Sequence, residues 1–484
     1  MATMPKGPMT PADARIMGAT ELFGRMEIVT GVDEITRDNL PMVMSRCVAI
    51  HNFNACRIEY LYGYVRGWQP ILERVKNIRS EINNKVVENH AAEIAQFVAS
   101  YFLGEPVTYV RRGTNEDASA DVAALNDWMA FEDKSTWDMQ LAYWMAVCGV
   151  GYRMVLPDRS AYNEEDDAPF ELDVPDPRLT FVAYSSGFGH RPVLGVRLVW
   201  RQREDDEFEL IYCGYTRTHY FEMGYGMDLR RWEPHALDAI PIFEYRLNMS
   251  RTGSFEVAIP MLDAINAIQS NRVDALEQFV QSFLKFKNCE VDEKVVSDLR
   301  KMGAIVIKSI NGLDSDVDII SQELNQEQTQ TLVDYLYDQV LAICGLPTST
   351  KGGASTSDTG NAVFLRDGWS QAESRAKDTE RLFEKSEREF LRLTLRIIRD
   401  TRSDFGLTLR EVECKFTRRQ HDNLQSKTQA LQSMLQSGIA PEVAISTCGL
   451  FNDPMDVCEK SKKYLVKWDP VPMVPGTPDG GDDA

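Results

Sequence analysis

Apolar residues recur at steps of three and four positions along Gln326–Cys344, and this spacing predicts an amphipathic helix. The apolar stripe consists of Leu332, Leu336, Val340 and Ile343. Gly345 and Pro347 follow, and they end the helix because glycine favours a left-handed cap and proline cannot continue the hydrogen-bond pattern. The rest of the chain is interpreted around this helix and the segments that follow it.

The segment 349–360 contains only Ser, Thr, Lys, Gly, Ala and Asp. No residue in it can anchor a hydrophobic core, so we expect an exposed and mobile loop. Beyond the loop, residues 361–400 contain no proline and a single glycine, Gly368. This stretch predicts a long helix of about 60 Å, since each helical residue rises about 1.5 Å.

Helical spacing also appears in several earlier segments. They are residues 42–63, 84–103, 123–131, 137–147 and 260–286. The last has an apolar stripe made of Leu262, Ile265, Ile268, Val273, Leu276, Val280 and Phe283, with Asn266, Gln269, Arg272 and Gln278 off it. Between residues 152 and 245 the pattern instead favours strands that pair with their sequence neighbours. The predicted strands are 153–156, 179–184, 193–201 and 209–215, with one or two hairpins over 217–230. The predicted fold class is therefore α+β and predominantly helical.

The remaining segments are short. Residues 288–324 form a small mixed module, with a helix over 292–302 and strands over 304–308 and 317–321. After the long helix, we expect a strand over 411–416 and short helices over 423–436, 441–448 and up to about 463. We expect a loose arm at residues 1–20 and a disordered tail at 469–484, which is rich in Pro, Gly and Asp.

Taken in order, these segments resemble the portal proteins of tailed double-stranded DNA bacteriophages, of the siphophage type. The helix that ends at Gly104-Glu105-Pro106 before a strand is similar to that family, and so is Thr359-Gly360-Asn361-Ala362 at the start of the long helix. The resemblance extends over roughly residues 40–465 and depends on the order of elements rather than on one diagnostic motif.

The resemblance implies a subunit with a wing, a two-helix stem, a small α/β clip, a long wing helix and a helical crown. The implied boundaries are 1–254 for arm and wing, 255–287 for the first stem helix, 288–324 for the clip, 325–345 for the second stem helix, 346–360 for the tunnel loop, 361–420 for the long helix and remaining wing, 421–468 for the crown and 469–484 for the tail.

The same resemblance implies a dodecameric ring at one vertex of a phage capsid, assembled in the host cytoplasm. Double-stranded DNA would pass through its channel transiently and without sequence preference. The implied partners are the terminase motor, head-completion or adaptor proteins, and the major capsid and scaffolding proteins. We expect no enzymatic activity, no cofactor, no metal and no membrane partner. The alternatives are another capsid or connector ring subunit and, as a weaker one, a carboxylate-metal nuclease.

Composition and charge agree with this interpretation without establishing it. The formal net charge of −20 argues against tight binding of free DNA, because proteins that grip DNA must neutralise phosphates. The nine cysteines include no CxxC pair, which indicates reduced thiols and cytoplasmic assembly. Met1–Lys6 lacks a signal-peptide core, and the apolar run 141–152 is too short to cross a bilayer and suits a buried helix instead.

Catalytic signatures are weak or missing. The sequence has no GxxxxGK[ST] and no HExxH motif. Asp314, Asp316 and Asp318 imitate the start of a calcium loop, but Ile319 replaces its glycine and Asn325 replaces its bidentate glutamate. Alternating acids of this kind are more typical of a strand with one wet face.

Two groups of residues are candidate contacts for DNA or protein partners. The tunnel-loop group is Ser349, Thr350, Lys351, Gly352 and Gly353. One cation among glycines and hydroxyls suits a weak, sequence-blind contact with a DNA backbone. The clip group is Lys285, Lys287, Lys294, Arg300, Lys301 and Lys308. The plain alternatives are a surface loop without a partner and a module made soluble by its charges.

The middle of the long helix, residues 373–389, is polar on most faces. Glu373 with Lys377, and Glu384 with Arg388, have the spacing of favourable ion pairs. We expect this part of the helix to lie against polar surfaces of neighbouring subunits, or else to be solvated.

Overall fold

A computed structural model describes most of the chain. The described residues are 23–77, 80–112, 118–158, 168–202, 206–280, 283–287, 316–320, 326–347, 369–416, 424–451 and 454–461. Every structural statement below concerns these residues.

The described helices and strands form an α+β arrangement that is about half helical. The described helices are α1 Leu40–Val65, α2 His90–Leu103, α3 Ala118–Phe131, α4 Lys134–Cys148, α5 Ile259–Val280, α6 Gln326–Cys344, α7 Trp369–Thr401, α8 Leu424–Gln436, α9 Pro441–Cys448 and α10 Pro454–Ser461. The described strands are β1 Ile28–Thr30, β2 Thr108–Arg111, β3 Val150–Pro157, β4 Phe170–Asp173, β5 Thr180–Ser185, β6 Pro192–Gln202, β7 Phe208–Tyr215, β8 His219–Gly224, β9 Leu229–Pro234, β10 Ile242–Arg246, β11 Phe283–Lys287, β12 Asp316–Ile320 and β13 Val412–Lys415.

The chain divides into two compact units. Unit 1 comprises Met1–Tyr62, Ile94–Glu256 and Ser349–Ala484, and unit 2 comprises Gly63–Glu93 and Val257–Thr348.

The main sheet of unit 1 has the strand order β1-β5-β6-β7-β8-β9. Strands β5 to β9 pair antiparallel with their sequence neighbours, and β1 adds in parallel to β5. One face of the sheet packs on α1, whose apolar residues follow helical spacing. The residues of α1 in this core are Leu40, Val43, Met44, Cys47 and Val48. The predicted hairpin over residues 217–230 is confirmed as β8 and β9.

The local pairing predicted over residues 152–245 was wrong in part for β3, and a further sheet of unit 1 joins two strands outside that range. Strand β3 pairs with β10 as well as with β4, and β2 pairs with β13 near the other end of the chain. Helix α7 lies against β3 and β10, where Phe243 meets Phe390 edge-on with ring centroids 6.0 Å apart. Burial beneath α7 selects this pairing, and hydrophobic alternation alone carries no such information.

The apolar run 141–152 is confirmed as the end of a buried helix. Helix α4 stops at Cys148, and the N–H of Gly149 donates to the carbonyl of Met145 at 2.8 Å. Gly149 has φ +80°, and a Cβ there would lie 2.3 Å from the carbonyl oxygen of Arg251. A glycine is therefore required at this cap on both conformational and steric grounds.

Unit 2 contains α5, β11, β12 and α6. Strands β11 and β12 pair antiparallel, so the predicted strand over 317–321 is confirmed with a shift of one residue. The helix predicted over 260–286 was wrong at its end, because α5 stops at Val280 and Phe283–Lys287 is a strand. The sequence Phe-Leu-Lys-Phe-Lys has a two-residue alternation, which suits a strand better than a helix.

The helix predicted over 84–103 was also wrong in part. It begins at His90, and residues 84–89 form neither a helix nor a strand. The long helix is described from Trp369 to Thr401. Several predicted features lie outside the described residues: the arm 1–20, the helix 292–302, the strand 304–308, the loop 349–360, residues 361–368 with Gly368, Asp314, and the tail 469–484.

Among the described residues, no helix is long and apolar enough to cross a membrane.

Candidate nucleic-acid channel region

Helices α5 and α6 of unit 2 lie side by side. Arg272 of α5 donates through Nη1 to Oε1 of Gln330 of α6 at 2.7 Å, and Gln330 in turn donates to Asp334 at 2.7 Å. The strand pair β11–β12 lies between the two helices in the sequence. These are the two helices that the resemblance assigns to a stem.

The buried face of α6 differs from the predicted stripe. Val340 is buried as expected, but Leu332 and Ile343 are 48% and 39% exposed. The other buried positions of the helix are Val333, Leu341 and Cys344. Helical periodicity therefore identified the helix but misplaced its inner face, since Leu332 and Val333 are both apolar and adjacent.

In the second half of α5, two apolar side chains are exposed and a charged one is buried. Val273 and Leu276, from the predicted stripe, are 39% and 50% exposed, whereas the carboxylate residue Asp274 between them is 2% exposed. Asn266 and Ser270 are fully buried. Polar groups are rarely buried without partners, so these three side chains must be satisfied within the unit.

Their partners are backbone N–H groups within residues 84–89, a segment that we call the strap. Asn84 donates its N–H to Oδ1 of Asp274 at 2.7 Å, and Val86 donates to Oγ of Ser270 at 3.0 Å. The third bond of the series runs from the N–H of Glu88 to Oδ1 of Asn266 at 2.8 Å. The strap thus runs antiparallel to α5 and uses every second N–H.

The spacing explains why this arrangement forms. Alternate residues of an extended chain are about 6.6 Å apart, and helix residues four apart rise about 6 Å. Asn266, Ser270 and Asp274 are spaced by four, so their side chains match the N–H groups of Asn84, Val86 and Glu88. Polar residues at i, i+4 and i+8 were the available sequence signal, and only Asn266 was singled out from it.

Asp274 is the most heavily bonded of the three. Lys76 and Arg74 form ion pairs with its carboxylate, and the side-chain amide of Asn84 donates to it at 3.0 Å. Burial opposes ionisation of this carboxyl, but the bonds from Lys76 and Asn84 outweigh it and hold the pKa of Asp274 below its ordinary value.

The beginning of α2 is joined to α6 within the same unit. Tyr337 donates to Oε1 of Glu93 at 2.8 Å, and its ring lies over His90 with centroids 4.3 Å apart. Unit 2 therefore holds α5 on its strap and α6 against the first turn of α2.

The structure brings together few of the predicted site residues. Lys285 and Lys287 lie in β11, opposite Asp318 and Asp316 of β12 respectively. The other clip residues Lys294, Arg300, Lys301 and Lys308 lie outside the described residues, as do the loop residues Ser349, Thr350, Lys351, Gly352 and Gly353.

The polar middle of α7 is not solvated throughout, because Glu387 is fully buried in unit 1. Contact of the exposed residues of α7 with a neighbouring subunit stays a prediction. The carboxylate of Glu387 accepts from Tyr109 at 2.5 Å and Tyr245 at 2.6 Å, and pairs with Arg153 at 2.8 Å and Lys134 at 3.2 Å. The i,i+4 pair of Glu373 and Lys377 is confirmed, at 3.4 Å.

Asp138 completes this group of buried charges. It pairs with Lys134 at 2.7 Å and with Arg153, so two carboxylates balance two cations. Burial would raise the pKa of Glu387, but Lys134 and Arg153 with the two tyrosines outweigh it and lower this pKa. The available signal was the position of Glu387 between Phe383 and Phe390, on the apolar face of the helix.

No group of three or more His, Cys, Asp or Glu side chains within the described part of the chain is placed to hold a metal ion.

Comparison with known proteins adds the family. No curated protein matches the chain. The sequence model of one family, described as phage portal protein, SPP1 Gp6-like, matches residues 44–465 of the 484. The matched range includes the strap, α5, β11, β12, α6 and α7. The chain therefore belongs to the SPP1 Gp6-like family of phage portal proteins.

Proposed function

We propose that this chain closes into a dodecameric ring at one vertex of a phage capsid, and that the α5–α6 pairs surround an axial channel for DNA during packaging and ejection. Portal function in DNA packaging and a place in the virion follow from the family. The arrangement of helices around the channel, the subunit number and assembly in the host cytoplasm are the proposal.

The observation that carries the proposal is that both helices of this pair expose apolar side chains. Val273 and Leu276 of α5, with Leu332 and Tyr335 of α6, are each more than one-third exposed. Exposed apolar side chains grouped on neighbouring elements are typical of protein interfaces. A ring supplies the missing cover, because each subunit of a closed ring uses two different faces to contact its neighbours.

The net charge supports a conduit rather than a clamp. At −20, the chain as a whole repels the phosphate backbone. A channel through which DNA slides is served by weak contacts, and the tunnel-loop group offers one cation, Lys351, among glycines and hydroxyls. We propose that this loop touches the DNA backbone without reading its sequence.

The clip group is proposed as the surface that meets other proteins. Lys285 and Lys287 lie in β11, which follows α5 in the sequence and pairs with β12. A terminase motor would dock there during packaging, and head-completion or adaptor proteins would bind there afterwards. The motor would supply ATP hydrolysis, and the ring would act as its structural platform.

Imaging of the purified chain tests the ring directly. We expect particles with a central hole and a helical stem in negative-stain images. A capsid or connector ring of another kind would show no helical stem. A chain that stays monomeric in solution and shows no ring in the particle would contradict the proposal.

Deletion of residues 350–355 tests the loop separately. We expect rings to assemble normally while DNA packaging or retention falls, because the deletion removes Lys351 and its glycines but none of the helices. Replacement of the same residues by a Gly-Ser sequence of equal length provides the control for loop length. Normal DNA filling after the deletion would remove the loop from the mechanism.

A further inference from the structure

We propose that the strap is a positioning device for the subunit contact: Asn266, Ser270 and Asp274 hold α5 at a fixed rotation about its axis, so that Val273 and Leu276 face the neighbouring subunit. The inference rests on the proposed function, because it assumes that these apolar residues meet a second copy of the chain. No residue of the strap needs to touch that copy.

The hydrogen bonds of the strap restrict rotation of α5 about its axis. A single hydrogen bond to a helix leaves the helix free to roll, but three bonds at positions four apart define one face of it. The bonds to Asn84, Val86 and Glu88 extend over more than two turns of α5. Because each donor is a backbone N–H, the bonds also fix the position of the helix along the strap.

The strap is itself held near both ends. Near its start, Asn83 donates to the carbonyl of Arg74 at 3.0 Å, and Lys85 donates to the carbonyl of Leu72 at 2.6 Å. Near its end, Asn89 donates to the carbonyl of Val65 at 2.6 Å. A strap anchored to the preceding residues provides a fixed reference for the helix.

The side-chain amide of Asn266 forms hydrogen bonds through both its oxygen and its nitrogen. Its oxygen accepts from the N–H of Glu88, and its nitrogen donates to Oε1 of Gln69. Gln69 in turn donates to Asn89 at 3.1 Å. A buried polar network whose members are all bonded specifies one packing arrangement, because any rotation of the helix would leave several buried groups without partners.

The orientation of α5 matters because its exposed apolar residues adjoin the buried polar ones. Val273 directly precedes Asp274 in the sequence, and Leu276 follows two residues later. Neighbouring residues in a helix are about 100° apart, since a turn contains about 3.6 residues. A roll of one residue position would therefore turn these side chains away from their partner.

The test compares ring stoichiometry in variants of the full chain. The double variant Ser270→Ala/Asp274→Ala removes two of the three acceptors. We expect its rings to show a broadened subunit number by native mass spectrometry, or to need at least tenfold more protein to assemble. A role in stability alone would lower the melting temperature without changing the subunit number.

Two variants serve as matched comparisons. The single variant Asp274→Asn keeps Ser270 and an oxygen that accepts from Asn84. Its rings should therefore retain a single subunit number. Asn271→Ala removes an exposed amide of the same helix that bonds Arg74 and no strap N–H, and it should have no effect on stoichiometry. If the double variant does not fold, Ser270→Ala alone gives the same comparison with one hydroxyl removed.

Rings of unchanged subunit number that assemble at unchanged concentration, with Ser270 and Asp274 replaced, would overturn the inference while leaving the portal ring intact. Failure of the unaltered chain to form rings would instead contradict the proposed function. The two failures are therefore distinguishable.

Discussion

The group of buried charges around Glu387 in unit 1 and the helix pair of unit 2 differ in which side chains they bury and which they leave exposed. In unit 1, the carboxylates of Glu387 and Asp138 meet Lys134 and Arg153 inside one subunit. In unit 2, the buried polar residues of α5 are also satisfied, but Leu276 remains exposed. Unit 1 balances its buried charges within one subunit, whereas in unit 2 exposed apolar residues directly adjoin the satisfied polar ones.

The difference teaches how to separate folding from assembly in this chain. Changes to the charges around Glu387 should affect the stability of the subunit. Changes to the exposed apolar residues should affect the ring and leave the subunit folded.

The largest expected effect is that of Glu387→Gln. The substitution leaves Lys134 and Arg153 facing Asp138 alone, so a buried positive charge loses its partner. Breaking a buried ion pair from one side costs about 3–5 kcal/mol. We expect a loss of that size in the free energy of unfolding, measured by urea denaturation of the full chain.

The matched control is Asp378→Asn, on the same helix but exposed and paired with Arg381 at 3.3 Å. Exposed pairs contribute about 0–1 kcal/mol, so this change should be nearly silent. Equal losses in the free energy of unfolding for the two variants would show that the buried charges contribute no more to stability than an exposed ion pair.

The apolar side of the helix pair is tested by Leu276→Asp and Leu332→Asp. Burying a leucine contributes about 1.5–3 kcal/mol, and about 1.4 kcal/mol corresponds to tenfold in an equilibrium constant. Each variant should therefore weaken assembly at least about tenfold, as seen by sedimentation, while the melting temperature of the unassembled subunit stays unchanged.

Met249→Asp provides the control, because Met249 is 76% exposed and belongs to unit 1. It should leave assembly unchanged. Normal ring formation by both leucine variants would place the subunit contact elsewhere on the molecule.

The smallest effect is expected from acid pH. The pKa of Glu387 is lowered in the folded state, so its contribution to stability is complete above the ordinary glutamate pKa of about 4.3. That contribution is lost as the pH falls from this value through the lowered pKa of the folded state. The free energy of unfolding should decline there more steeply for the unaltered chain than for Glu387→Gln, while the two curves run parallel between pH 6 and 7. If the free energies of unfolding of the two chains ran parallel over the whole acid range, the lowered pKa of Glu387 would be contradicted.

The sequence was most informative where one element depends on its own residues. The bounds of Gln326–Cys344 were predicted without error, because an apolar spacing followed by Gly345 and Pro347 defines both the helix and its end. The order of strands β5 to β9 followed in the same way, since short turns leave them few other partners. The family also emerged from the order of elements alone.

The candidate region was less predictable. The helix over 84–103 was given six residues too many, because helical propensity in residues 84–89 is overridden by N–H acceptors on α5. The strand Phe283–Lys287 depends on pairing with β12, and pairing across a long insertion leaves little trace in local spacing.

By itself, then, the sequence determined most of the helices, the ends that glycine and proline impose on some of them, and the family to which the chain belongs. Only the tertiary structure decided which polar side chains are buried. Periodicity measures the match of a residue to its own helix, whereas the burial of Glu387 and Asp274 depends on cations and N–H groups brought from distant parts of the chain.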